Sequence, residues 1–310
     1  MNTPTHAAPQ SAADAPATPA ALSATRPMYW SVRRELWENR SIYVAPLLAA
    51  GVMMFGFLVR AFTLPRRMRA VLALDPDKQR AAVDMPYNTV AGLIVLTAFI
   101  VGVFYCLDAL HGERRDRSIL FWKSLPVSDL TTVLAKASIP LVILPLLIFA
   151  IIVATQIAML LLSTLVLLGN GPSVATLWAR LPLFQMSLAL VYALTAIALW
   201  HAPLYGWLLL VSGWARRATF LWAVLPLLAI CVFEWIAFRT RYFASLLKYR
   251  LIGWFTRAFA VQAHGSVPAD PLTQLTPGTF LSTPGLWIGL ALAAIFLAAA
   301  VRLRRDREPI

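Results

Sequence analysis

Three ionisable residues stand inside long apolar runs of this 310-residue chain: Asp108, His201 and Glu234. Charge at membrane depth is costly and marks function by default. A proton relay would need several such groups in succession across the layer, and three scattered residues do not supply one. Each also has a plainer use. Asp108 precedes Arg114 and Arg115 and is expected to pair with one of them. Glu234 precedes Arg239 and Arg241 and is expected to form an ion pair with them. His201 stands beside Pro203 and is expected to satisfy backbone groups opened by a proline kink. The four histidines, His6, His111, His201 and His264, lack metal-ligand spacing. Cys106 and Cys231 lie in apolar runs and read as small core residues, not as a disulfide or metal site. The sequence has no P-loop, no His-Glu-x-x-His, no Cys-x-x-Cys and no Gly-x-Ser-x-Gly. No catalytic, cofactor or metal site is expected on this chain.

The elements that would carry these residues are membrane helices. Hydrophobic residues make up 60% of the chain and charged residues 13%, against about 45–50% and about 25% in soluble domains. The apolar residues fall in runs of bilayer-crossing length, which takes about 20 residues as a helix. Short alternating segments of the β-barrel kind are absent from the sequence. The net charge of +13 does not point to nucleic acid, because Lys and Arg sit in the links between spans, where they fix orientation and meet anionic lipid. The expected class is all-α and polytopic, with spans at about 42–62, 87–110, 139–168, 181–212, 220–238 and 284–301.

Residues 1–27 are Ala, Pro, Thr and Ser with almost no charge, and are expected to be a disordered tail. "MYWSVRRELWEN" (Met28 to Asn39) follows. Tyr29, Val32 and Leu36 share a helical face, with Trp30 and Trp37 beside them, while Ser31, Arg34, Glu35 and Glu38 fall opposite. This predicts an interfacial helix with its aromatics at headgroup depth. A polar link is expected from Thr63 to Pro86, and Pro203 is expected to kink the fourth span without ending it. The link Arg239 to Thr283 should hold a second interfacial helix, with Phe243, Leu247, Leu251, Trp254, Phe255 and Ala258 on one face. A loop, "GSVPADPLTQLTPG", should follow it. Six spans put both termini on one side. The basic bias between sides is weak, and it favours a cytoplasmic location for both.

The most distinctive stretch is "HGERRDRSILFWKSLPVSDL", His111 to Leu130. A span ends in it. A short basic and apolar helix follows, and Pro126 breaks the backbone. A new helix then starts at Ser128, which is suited to N-cap it, with Asp129 in the first turn. The layout resembles the permease subunits of type-2 ABC exporters. The resemblance rests on Glu113-Arg114, Arg117-Ser118, Phe121-Trp122 and Leu125-Pro126-Val127-Ser128, on the helix before the first span and on the helical insertion before the last.

That resemblance implies an elbow helix carrying Tyr29, Trp30, Arg33, Leu36 and Trp37. It also implies a cytoplasmic coupling helix docked on a separate ABC ATPase, with ATP and Mg on that partner. The coupling residues would be Glu113, Arg114, Arg115, Arg117, Ser118, Ile119, Phe121, Trp122, Lys123, Leu125 and Pro126. It implies, further, a second copy or a related permease as partner, and a bacterial-type inner membrane. A short helix exposing Ile119, Phe121 and Trp122 could seat in a groove, with Arg114, Arg115, Arg117 and Lys123 meeting acidic groups at its rim. The competing readings are a membrane-embedded enzyme acting on lipid and a non-transporting scaffold. The enzyme would need polar side chains converging at one depth, and Asp108 and Glu234 belong at opposite ends of their spans.

Overall fold

Runs of apolar residues longer than one bilayer crossing have no water to satisfy their backbone, so they close it internally as helices. The computed structural model describes residues 25–116, 127–168, 173–260 and 271–306, and it is all-helical apart from one isolated bridge between Phe259 and Leu275. The helices are α1 (Thr25–Glu38), α2 (Ser41–Ala61), α3 (Leu64–Leu72), α4 (Pro76–Ala109) and α5 (His111–Arg115). They continue with α6 (Asp129–Ser138), a π-helical turn (Ile139–Ile143), α7 (Leu144–Leu168) and α8 (Ser173–Arg180). Last come α9 (Leu183–Trp214), α10 (Thr219–Phe238), α11 (Tyr242–Ala258), α12 (Pro277–Ser282) and α13 (Pro284–Asp306). Six stretches are long and apolar enough to cross a membrane: Ser41–Ala61, Lys78–Arg115, Asp129–Leu168, Leu183–Trp214, Thr219–Phe238 and Pro284–Asp306.

Three expectations change. The polar link after the first span is mostly helical. Arg66, Arg67 and Arg69 lie on the short helix α3, and α4 starts at Pro76 and runs through Pro86. The third span begins ten residues early, at Asp129, and passes Pro140 through the π-helical turn, which absorbs the missing N–H without ending the helix. The stretch expected as a loop after α11 contains a 3-10 turn (Pro271–Gln274) and α12. The helix α11 buries only Ala258 and otherwise lies at the surface of the bundle. The Trp200 indole donates to the Arg250 carbonyl at 2.9 Å, which sets the middle of α11 against the middle of α9. Pro203 lies inside α9, which continues to Trp214, so it is no span boundary.

The main apolar core lies among α2, α4, α7 and α9, with Ile94, Ile148, Ile152, Met159 and Leu209 fully enclosed. The helices α9 and α13 pack closely because Gly206 leaves room for the backbone of Ala293; a Cβ there would lie 3.3 Å from its carbonyl oxygen. In contrast, α10 buries only Ala223, and its other apolar side chains lie outward, as suits a helix solvated by lipid. One end of the bundle collects α1, the end of α4, α5, the start of α6 and the ends of α9 and α13. We call this the near end and the opposite one the far end.

Candidate functional site

The near end holds a buried lattice of charge. Glu35 comes from α1, Glu113 from α5, Lys136 from α6 and Arg304 from α13, and all four are buried. Lys136 Nζ lies 2.8 Å from Glu35 Oε1 and 3.1 Å from Glu113 Oε1. Arg34 Nη2 donates to the same two oxygens, at 2.7 and 2.8 Å. Tyr105 donates its hydroxyl to Glu35 Oε2 at 2.9 Å. Arg304 pairs through Nη1 with Glu113 Oε2, and its Nε donates to Asp129 Oδ1 at 3.0 Å. The cations Arg34, Lys136 and Arg304 balance the carboxylates Glu35, Glu113 and Asp129. Every oxygen of Glu35 and Glu113 is engaged, which is the condition under which charge can be held out of water.

The electrostatics favour ionised groups. Burial pushes the Glu35 carboxyl up, but Lys136 and Arg34 outweigh it and hold it below the ordinary carboxylate range. A carboxylate held this way is a poor general acid or base near neutral pH. The arrangement suits a rigid joint.

Beside the lattice is a second joint. Ser212, near the end of α9, accepts from the backbone N–H groups of Leu110 and His111 at 3.0 and 2.9 Å, where α4 turns into α5. Arg114 is buried and donates through Nη1 to the carbonyls of Gly213 at 2.8 Å and Ala215 at 3.3 Å. The guanidinium thus meets carbonyls that the end of α9 leaves unpaired.

These two joints hold both stems of the segment between α5 and α6. Ser128 caps α6 as its sequence position implies, its Oγ accepting from the Thr131 N–H at 3.1 Å. Arg115 is exposed and lies 3.0 Å from Asp116 and 3.8 Å from Asp108, so Asp108 takes one of its expected partners. Glu113 and Arg114 point into the bundle and are engaged there. Arg117, Ser118, Ile119, Phe121, Trp122, Lys123, Leu125 and Pro126 lie outside the described residues.

The helix α1 departs from its expected pattern at Glu35, while Val32 and Leu36 of the expected apolar face pack partly on the core. Tyr29, Trp30 and Trp37 are exposed, and the charged face carries Glu35 inward. The reason is compensation: Lys136 waits inside for that carboxylate. Arg33 lies over both indole rings, 5.2 Å from Trp30 and 4.7 Å from Trp37.

Two further expectations are corrected. Glu234 forms no ion pair among the described residues. Its carboxylate accepts from Thr240 Oγ1 (2.8 Å) and from the N–H groups of Tyr242 (2.6 Å) and Phe243 (2.8 Å), so it caps α11. Pro203 frees the Leu199 carbonyl, yet His201 faces the carbonyls of Ile197 (2.9 Å) and Leu251 (3.2 Å), which ties α9 to α11 instead. Cys106 and Cys231 are both free, Cys106 buried. Among the described residues no group of three or more His, Cys, Asp or Glu is placed to hold a metal ion.

Sequence reasoning named Glu113 but treated Arg34 and Glu35 as a solvated face, and it missed Tyr105, Lys136 and Arg304. The available signal was that Lys136 and Arg304 stand beside apolar runs at the same end as Glu35. No family model, curated protein or solved structure matches this chain. The six apolar helices make it compatible with a multi-pass membrane protein.

Proposed function

We propose that this chain is the membrane-embedded subunit of an ABC transporter of the exporter type. A separate ATPase would supply ATP hydrolysis, with Mg, through the segment between α5 and α6. The observation that carries this reading is the buried lattice of Glu35, Glu113, Lys136 and Arg304. It joins both stems of that segment to α1 and to the last span. A displacement imposed on the segment would therefore move four helices as one block, as a coupling element requires. An anchor that only rests in headgroups needs no such foundation. In this reading Glu113 and Arg114 hold the stems from within, while Arg115, Arg117, Ile119, Phe121, Trp122 and Lys123 meet the ATPase. The helix α1 is the elbow, its Tyr29, Trp30 and Trp37 at the headgroups. A second copy or a related permease completes the pathway, and both termini face the cytoplasm.

The test is the double substitution of Phe121 and Trp122 by Ala. Buried aromatic anchors typically cost at least ~2 kcal/mol each when truncated at an interface. The variant should stay in the membrane and fold, but lose co-purification of the ATPase and its stimulation. Unchanged partner recovery and hydrolysis in a folded variant would reduce the segment to a membrane anchor and remove the reading. Single cysteines replacing Ser266 and Arg305 test the sidedness. An impermeant thiol reagent on intact cells should label only the first.

A further inference from the structure

At the far end, Arg250 has no carboxylate among the described residues to balance it. Arg250 lies midway along α11 and is half-buried. Its guanidinium carbon sits 5.0 Å from the centroid of the Trp200 ring, and Nη1 donates to the Gly285 carbonyl at 3.1 Å. Nη2 fills a notch that exists because residue 289 is glycine; a side chain there would overlap it. Arg250 is thus fixed by an indole, a carbonyl and a notch, and among the described residues no carboxylate lies within 4.0 Å of it. None of its nitrogens is both buried and unbonded, so its remaining donors open outward. Arg257 belongs to the same patch. Its guanidinium stands 6.0 Å from the Tyr249 ring, and that ring packs edge-on against Trp200 at 5.2 Å. The sequence of α11, YFASLLKYRLIGWFTRA, contains no acid.

The depth of the patch makes the missing counter-charge matter. Trp200 precedes the near end of α9 at Trp214, and Gly289 precedes Arg304 on α13. At 1.5 Å per residue, both rulers put Arg250 about 20 Å above the near-end lattice. In a hydrocarbon layer of about 30 Å, that lies within the half farther from the lattice and within an arginine's reach of the headgroups. A fork-shaped cation there is suited to a planar pair of anionic oxygens, above all those of a phosphate.

We propose that Arg250 and Arg257 form an anion seat for a phosphate group, framed by Trp200 and Tyr249, at the far end of the bundle. Its chemistry fits the headgroup of an anionic phospholipid or amphiphile and equally a small phosphate-bearing solute. It depends on the six helices spanning a membrane, and not on any ATPase.

The experiment uses the full chain, purified in detergent and then in lipid nanodiscs of phosphatidylcholine doped with phosphatidylglycerol. Native mass spectrometry reads which lipid stays bound, and thermal melting reads folding. For the wild type, phosphatidylglycerol should be retained over phosphatidylcholine. Arg250→Gln should lower that preference by roughly tenfold or more, and Arg257→Gln by less. Arg250→Lys, which keeps the charge without the fork, should retain part of it. Gly289→Ala should match Arg250→Gln by expelling the guanidinium from its notch. Inorganic phosphate separates the sources: displacement of the lipid at millimolar phosphate assigns a solute site, and indifference assigns a headgroup site. Equal lipid preference in wild type and a folded Arg250→Gln overturns the proposal. Should Arg250→Gln not fold, equal retention of both lipids by the wild type and Arg250→Lys overturns it as well.

Discussion

The two ends of this bundle handle charge in opposite ways. At the near end, Lys136 and Arg304 are buried with their carboxylates in hand, and Glu35 and Glu113 each serve more than one cation. At the far end, α11 is held by carbonyls, rings and a glycine notch, and its cations face outward. The contrast teaches what each end can tolerate. A closed ionic lattice is stiff and punishes the loss of any member, because the remaining charge stays buried. A helix held by carbonyl contacts and apolar packing, with no closed ion-pair lattice, can accept an outside ligand without unpairing a buried charge. Stiffness beside the segment between α5 and α6, and adaptability at the other end, is the division expected of a device that takes force at one face and handles a ligand at the other.

The largest effect should follow from removing Lys136. Lys136→Ala leaves Glu35 and Glu113 facing each other in the interior with Arg34 alone between them. Unpairing a buried ion typically costs about 3–5 kcal/mol. Thermal melting in detergent should show a large fall, with loss of expression as its extreme. Replacing Glu35 and Lys136 together by apolar residues of similar size should recover much of it, because Glu113 and Asp129 still balance Arg34 and Arg304. If Lys136→Ala melts like wild type, the lattice is not a joint and the comparison fails.

Acid should act next, and on the near end first. Glu35 has a folded pKa below its unfolded value of roughly 4.3, so its contribution is fully present above that value. It is lost as pH falls through the lower folded pKa. Melting temperature should therefore be level from neutral pH to about pH 5 and fall below about pH 4. Hydrogen exchange should locate the loss in α1 before α11.

How much of this was legible follows from what each feature depends on. The span Thr219–Phe238 was visible to within a residue as an apolar run, and α13 likewise at its start, because burial in lipid needs only composition and length. The inward turn of Glu35 was not legible. A charged helical face reads as solvated unless its partners are known, and those of Arg34 and Glu35 stand at positions 105, 113 and 136, far away in sequence. The early start of the third span was hidden for the same reason: Lys136 looked like a link residue. The attachment of α11 to α9 was hidden because it rests on a tryptophan bonding a backbone carbonyl, and no side-chain pattern encodes that. Pro140 and Pro203 both sit within continuous helices, the first through a π-helical turn.

A smaller effect belongs to the far end. Glu234→Gln keeps an acceptor but loses the full negative charge facing the first N–H groups of α11. Fraying should stay local. Exchange of the amides at the start of α11 should quicken severalfold while the global melting temperature moves little, because the apolar packing of Trp200 and Phe280 still holds the helix. A global fall as large as that of Lys136→Ala would erase the distinction between the two ends.

The smallest effect sharpens the comparison, since it falls at the near end itself. Arg115 and Asp116 form an ion pair at 3.0 Å beside the lattice, and both side chains are exposed. If position in the bundle decided the cost, Asp116→Asn should hurt as Glu113 substitutions do. If burial decides it, water replaces the lost carboxylate, the exposed guanidinium keeps its solvation, and melting should not move beyond error. We expect the second result, and we expect it to hold in both low and high salt, because little coupling exists for salt to screen. A marked fall in Asp116→Asn, reversed by salt in the wild type, would mean that the lattice extends to the surface. The stem of the segment between α5 and α6 would then be held by longer-range charge than the buried pairs alone supply.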